Sequence, residues 1–219
     1  MFDNVREDLR HYSRFCYGGR PIWRVLPRLL YGHPASAAVI WHRLGSAAWQ
    51  TRVPVVKQLL QVSYLIGLVF VRMYSGVQIP PETKIGPGLI ILHFGGVIIT
   101  RECEIGENCV LYHNVNIVTM KNRQGARIGA NFYAGVGTTI IGDIVIEDDV
   151  TVGAGSVVTK SIPADVIVAG SPARILRARH DYENNAENKT ARRQPPRWME
   201  CPGQKTHQQS AREAQRDAT

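Results

Sequence analysis

The chain of 219 residues carries 26 Lys/Arg against 18 Asp/Glu, a formal charge of +8, with 20 glycines and only 8% aromatic residues. That length holds one large domain, or a domain with an appendage, and buries a real core. Ten Lys/Arg against three Asp/Glu fall in residues 1–75, nine of each in 76–180, and seven against six in 181–219, so the basicity belongs to the N-terminal part.

The opening stretch, MFDNVREDLR, is charged and lacks the apolar region of a secretory signal, so a cytoplasmic protein is expected. Residues 1–75 read as an α-helical segment, with turn signals at Gly18-Gly19, Gly32-His33-Pro34 and Arg52-Val53-Pro54 between apolar-periodic stretches. Its basic character fits a solvated helical surface. The sharper reading is peripheral contact with an anionic membrane or a charged subunit. No nucleic-acid motif accompanies the charge, so nucleic acid is not an expected partner. The most apolar stretch, Val53 to Val71, is broken by Pro54, Lys57, Gln58 and Gln61, and Val62 to Val71 alone is too short to span a bilayer. A buried or subunit-facing helix is expected there.

From residue 76 to 179 an aliphatic side chain recurs every six positions in three runs: Ile79, Ile85, Ile91; Ile99, Ile105, Leu111, Ile117; and Ile128, Ala134, Ile140, Ile146, Val152, Val158. Small or apolar residues sit two positions earlier, among them Thr83, Val97, Cys103, Cys109, Val115, Thr138, Val150 and Ser156. Asn108, Asn114, Asn131 and Asp149 sit three positions later, where a corner needs a left-handed backbone. The physical reading is a mainly β fold: a solenoid in which each six-residue unit supplies one short strand and one corner, three units close a coil, and stacked coils pair in parallel. Cys103 and Cys109 are then core fillers, and with Cys16 and Cys201 they show no zinc spacing, so no metal is expected. Two register breaks stand out. Ile91 to Ile99 is longer than the repeat, with the extra residues beside His93, and residues 118–127 form an extruded loop of the kind that binds. Residues 180–219 are polar, carry Pro195-Pro196 and lack the apolar content to pack, so a disordered tail is expected, with Trp198 its one anchor.

The repeats, the IILHFGGVII segment, VGAGSVVTKSIP and the closing VAGSPARIL together resemble the serine acetyltransferase branch of the hexapeptide-repeat acyltransferases over about residues 28–179. The resemblance implies a left-handed parallel β-helix, against the usual crossover rule. It implies a homotrimer or a dimer of trimers, with acetyl-CoA as cosubstrate in the groove between neighbouring β-helices. It makes His93 the base that deprotonates an acceptor hydroxyl, and Gly135, Val136, Gly153, Ala154 and Lys160 the lining of the acetyl-CoA groove.

Unit counting places some of these residues independently. The units beginning at 91, 111, 134 and 152 are three apart, so their third residues, His93, His113, Val136 and Ala154, stack on one face at about the strand spacing of ~4.8 Å. His113 is therefore either a second site histidine or a harmless surface residue, and the 118–127 loop should emerge close by. Neutral imidazole suits proton abstraction near neutral pH.

The sequence departs from the serine-specific pattern at three places. Gln78 stands where the family has an aspartate before the first repeats, Leu92 where an aspartate precedes the histidine, and a shorter loop reading Gln124-Gly125 displaces Arg123. Gln78, Glu102 and Arg123 are the acceptor-binding candidates, and Gln78, Glu102 or His113 are candidates to orient His93. An unpaired carboxylate in a dry pocket is costly, so the expected acceptor is a neutral sugar hydroxyl, as in surface-polysaccharide assembly, with L-serine as the alternative. A metal-dependent hydratase would need three converging histidines, and only His113 lies between Phe94 and Arg179. A non-catalytic trimeric scaffold is the remaining reading.

Overall fold

The computed structural model describes residues 2–120 and 123–180. Four helices come first: α1 (Phe2–Tyr17), α2 (Ile22–Gly32), α3 (Ala35–Gln50) and α4 (Pro54–Ser75). The three breaks between them fall on the three turn signals. Pro54 opens α4 at its first turn, where a missing N–H costs nothing, and Gly76 closes it in the left-handed region at φ 68°.

The rest is a three-sided coil. Face A is built from β1 (Val77–Gln78), β4 (Val97–Ile99), β7 (Asn116–Val118), β10 (Thr139–Ile141) and β13 (Val157–Val158). Face B holds β2 (Lys84–Ile85), β5 (Glu104–Ile105), β8 (Arg127–Ile128) and β11 (Val145–Ile146). Face C holds β3 (Ile90–Ile91), β6 (Val110–Leu111), β9 (Tyr133–Ala134), β12 (Thr151–Val152) and β14 (Val166–Ala169), on which β15 (Arg174–Ala178) folds back antiparallel. The chain visits A, B and C in turn, and each strand pairs in parallel with the one a full coil later, as Ile91 does with Leu111.

Every aliphatic of the six-residue column is buried, and so are the small residues two positions before each. Cys103 and Cys109 are among them, and burial pushes the Cys109 thiol up to about 12, which makes it inert. Asn108, Asn114, Asn131 and Asp149 take φ of 55°, 60°, 54° and 60°, as the corners require.

A solenoid leaves an open end whose unpaired strands and exposed core need a cap. Here the helices provide it. Ala35, Ala38 and Val39 of α3 join the central core, while α1 and α2 lie on the outside of face C. There Tyr12, Cys16, Val25 and Leu29 bury Ile90, Leu92, Val110 and Tyr133. Polar contacts fix the docking. Arg43 of α3 donates to both carboxylate oxygens of Asp8 on α1, at 2.9 and 3.0 Å, and to the carbonyls of Ile85 and Gly86 at 2.6 Å each. Asp8 in turn accepts the N–H groups of Gly88 and Leu89 at 2.8 and 3.0 Å.

The expectation for the apolar stretch is corrected in one respect. α4 is not buried within the chain: it packs on α3 through Tyr64, stacked on Trp41 at 5.8 Å, and its other side lies open. Only 6% of its most apolar window is buried, and the whole helix is long and apolar enough by length and composition to cross a membrane. The polar tail, with Trp198 and Cys201, lies outside the described residues beyond His180.

Candidate functional site

The corner from face C to face A in the first coil carries His93. On one side Leu92 donates its N–H to Leu111 at 2.8 Å, and on the other Asn114 donates to Gly95 at 3.3 Å. The two coils are thus in step on both flanks, and the extra residues must bulge between them. Phe94 projects with 60% of its surface exposed, and Gly95 and Gly96 take φ of 112° and 57°. His93 itself has φ 68°, a conformation that costs a side-chain-bearing residue about 1 kcal/mol. The surroundings hold it there. Just upstream, the Tyr12 hydroxyl donates to the Ile91 carbonyl at 2.5 Å and accepts the Ile91 N–H at 2.9 Å.

The expected column is present. The rings of His93 and His113 meet edge to face with centroids 5.5 Å apart. Below them the backbone ladder runs on, Gly137 donating to His113 at 3.1 Å and Gly155 to Val136 at 2.8 Å. Tyr112 lies 5.8 Å from His93 and 5.6 Å from Tyr133, ring to ring.

One neighbour carries no signature in the sequence beyond a turn. His33, at the C-terminal end of α2, reaches the same corner, its ring 6.4 Å from His93, 6.2 Å from Tyr12 and 6.0 Å from Tyr17. The Nδ1 atoms of His33 and of His113 are both buried with no hydrogen-bond partner among the described residues. Burial, and then the charge His113 would carry, lowers the pKa of His93 below its ordinary 6.5. Burial and then His93 lower that of His33. All of this keeps His93 neutral and able to accept a proton.

Leu92 explains one departure from the serine-specific pattern. It is 0% exposed and packs in one cluster with Tyr12, Val25 and Leu29, where a carboxylate would be buried among apolar groups. The other candidates fall at different places on the coil. Gln78 is exposed on face A, opposite Ile98. Glu102 lies at the corner from face A to face B, 3.8 Å from Arg101, and its carbonyl accepts the Gly125 N–H at 3.2 Å. The 118–127 loop, with exposed Arg123, leaves from that same corner rather than close to the two histidines. Lys160 is there as well, lining a cavity of about 380 Å³ with Arg174. Gly135 is buried in its ladder, donating to Val152 at 2.9 Å, while Ala154 is exposed and Val136 and Gly153 are half-buried at the C-to-A corner. Of the three groups considered for orienting His93, His113 is in ring contact with it. Among the described residues no group of three His, Cys, Asp or Glu side chains is arranged to hold a metal ion.

No protein-family model matches the chain. A serine acetyltransferase of Synechococcus elongatus is 33% identical over 179 residues, spanning 80% of this chain and 69% of its own length. One from Staphylococcus epidermidis is 38% identical over 180 residues, spanning 81% and 79%. Among solved structures, soybean serine acetyltransferase complexed with serine superposes with a TM-score of 0.64 at 27% identity, over 80% of this chain and 68% of that one. The serine acetyltransferase of Brucella abortus in complex with coenzyme A gives 0.67 at 24% identity, over 81% and 68%, a likeness of fold.

Proposed function

The chain belongs to the serine acetyltransferase family, acyltransferases that use acetyl-CoA, and from that premise we propose that it acetylates the hydroxyl of L-serine with His93 as general base. The observation that supports the assignment is the position of His93: a neutral imidazole held in a costly backbone conformation at the bulged corner of the first coil. The ring takes the hydroxyl proton as the oxygen attacks the thioester carbonyl. The tetrahedral intermediate then collapses to the ester, and the proton returns to the departing coenzyme A thiolate. The sugar hydroxyl preferred on the sequence alone yields to serine because the relatives are serine acetyltransferases and a solved neighbour holds serine.

The residues assigned to the site fall on two corners, and this supports a homotrimer as the working unit. His93, His113, Val136 and Ala154 occupy the C-to-A corner, whereas Glu102, Arg123 and Lys160 occupy the A-to-B corner. Apposing the first corner of one copy to the second corner of the next gathers both sets around one groove. Lys160 and Arg174 then present cations to the phosphates of acetyl-CoA, and the corners at half-buried Val136 and exposed Ala154 line its pantetheine arm. A helical seam points the same way. Val55, Leu59, Val62, Ile66, Val69 and Met73 of α4 are all exposed and recur at alternating steps of four and three, the spacing at which one helix seats on another. The basic N-terminal helices add peripheral contact with an anionic membrane, and the enzyme works in the cytoplasm.

A saccharide hydroxyl is the second reading, and one observation favours it: among the described residues of a single copy, no carboxylate is among the groups that shift the pKa of His93. Coenzyme A thiol release from acetyl-CoA, with L-serine or a saccharide as acceptor, decides between them. Turnover with serine that His93→Ala abolishes is the expected result. Turnover with the saccharide alone overturns it.

A further inference from the structure

Among the described residues the base has no acidic partner in its own chain, yet a general base needs its ring held in one tautomer and one orientation. The group that could do this comes from outside the repeats. His33 is fixed from both sides, its N–H donating to Leu29 at 3.0 Å and its carbonyl accepting from Ser36 at 2.9 Å, with Pro34 following. Its side chain is 9% exposed, walled by Tyr12 and Tyr17, and faces His93. Its buried Nδ1 has no partner among the described residues, a state that costs stability unless a donor arrives.

Building on the assignment of His93 as base, we infer that His33 is its positioning residue, with Nδ1 accepting the N–H of the His93 nitrogen turned away from the acceptor. At 6.4 Å between centroids the rings are close but not yet bonded, as catalytic contacts commonly are before substrate closes the site. When His93 takes the acceptor proton it becomes an imidazolium, and its second N–H is then offered to His33 Nδ1, which is buried with no partner among the described residues. A neutral imidazole thus stands where a carboxylate would otherwise serve. It orients the ring without adding a negative charge that would raise the basicity of His93. The groups facing the pair are Tyr12 and Tyr17 from α1 against His33, and Tyr112 and His113 from the second coil against His93.

The test is nitrogen-15 NMR of the histidine rings in the full chain, with His93 assigned by its loss in His93→Ala. His33→Phe keeps the packing but removes the acceptor, and His33→Asn places an amide oxygen near the position of Nδ1. The expected result is a single His93 tautomer at neutral pH in the parent and in His33→Asn, and a mixture in His33→Phe. With acetyl-CoA and L-serine, His33→Phe should lower kcat about a hundredfold, leave the acetyl-CoA KM in place, and be rescued by His33→Asn. An unchanged His93 tautomer in His33→Phe, with that variant folded by thermal melting, overturns the proposal. If the tautomer responds but His93→Ala still turns over, His33 does position the ring and it is the assignment of His93 as base that fails.

Discussion

Asp8 and Arg43, 35 residues apart on α1 and α3, meet as a buried two-pronged ion pair, and each also grips the backbone of the first coil. Among the described residues neither charge has a second ion-pair partner. Asp8→Ala strands a buried guanidinium and should lower unfolding free energy by about 3–5 kcal/mol, read from the urea midpoint. Asp8→Leu combined with Arg43→Met, which removes both charges, should cost less than Asp8→Ala alone.

His93→Gly separates catalysis from folding. Glycine adopts φ 68° without penalty, so the variant should be at least as stable as the parent, by up to about 1 kcal/mol. Its acetyl transfer should fall by about 10²–10⁴-fold, the usual worth of a general base. A melting temperature that drops along with activity would show that the ring is there for packing.

The pH profile follows from the surroundings of His93. Burial, and then the charge of His113, holds its pKa below 6.5, and the base works only when unprotonated. The acid limb of kcat/KM should therefore lie below pH 6.5. His113→Gln removes the second cause and should move that limb upward, towards but not to the ordinary value.

His42 predicts acid sensitivity of the fold itself. Burial, and then the Arg43 charge, push its pKa down to about 4, while the unfolded chain titrates near 6.5. The unfolded state binds the extra proton in this window, so stability is full above pH 6.5 and is lost as pH falls towards 4. Between pH 7 and pH 5 this single group should cost about 2 kcal/mol, and His42→Gln should flatten the dependence of the urea midpoint on pH.

The seam on α4 gives an assembly prediction. Leu59→Glu with Ile66→Glu places two charges on apolar positions that are 68% and 62% exposed. Light scattering should find the parent at three times 24.4 kDa and the variant at lower mass. Unchanged mass together with lost binding to anionic vesicles would instead assign the helix to a lipid surface.

The coil was legible because its physics repeats: a buried column every six residues and left-handed corners at Asn108, Asn114, Asn131 and Asp149 are local rules written many times over. The same counting also shows which corner the 118–127 loop leaves from, one shared with Lys160 rather than with the two histidines as expected. The units at 99, 117, 140 and 158 are three apart, so Lys160 shares a corner with Arg101 and not with His93. His33 could not be found that way. It lies in a helical turn, and its relation to His93 is a single tertiary contact with no period. The exposure of α4 was equally hidden, since apolar content reports that a surface is covered but not whether the cover is its own chain.

The grip of α1 and α3 on the first coil has a consequence for anyone who would treat this protein as a cassette. Tyr12 completes the hydrogen bonding of Ile91, two residues before the base, and α2 delivers an imidazole to its side. Cutting at residue 76 would remove part of the proposed reaction centre along with the cap. Grafting the repeats onto a foreign leader would have to rebuild both.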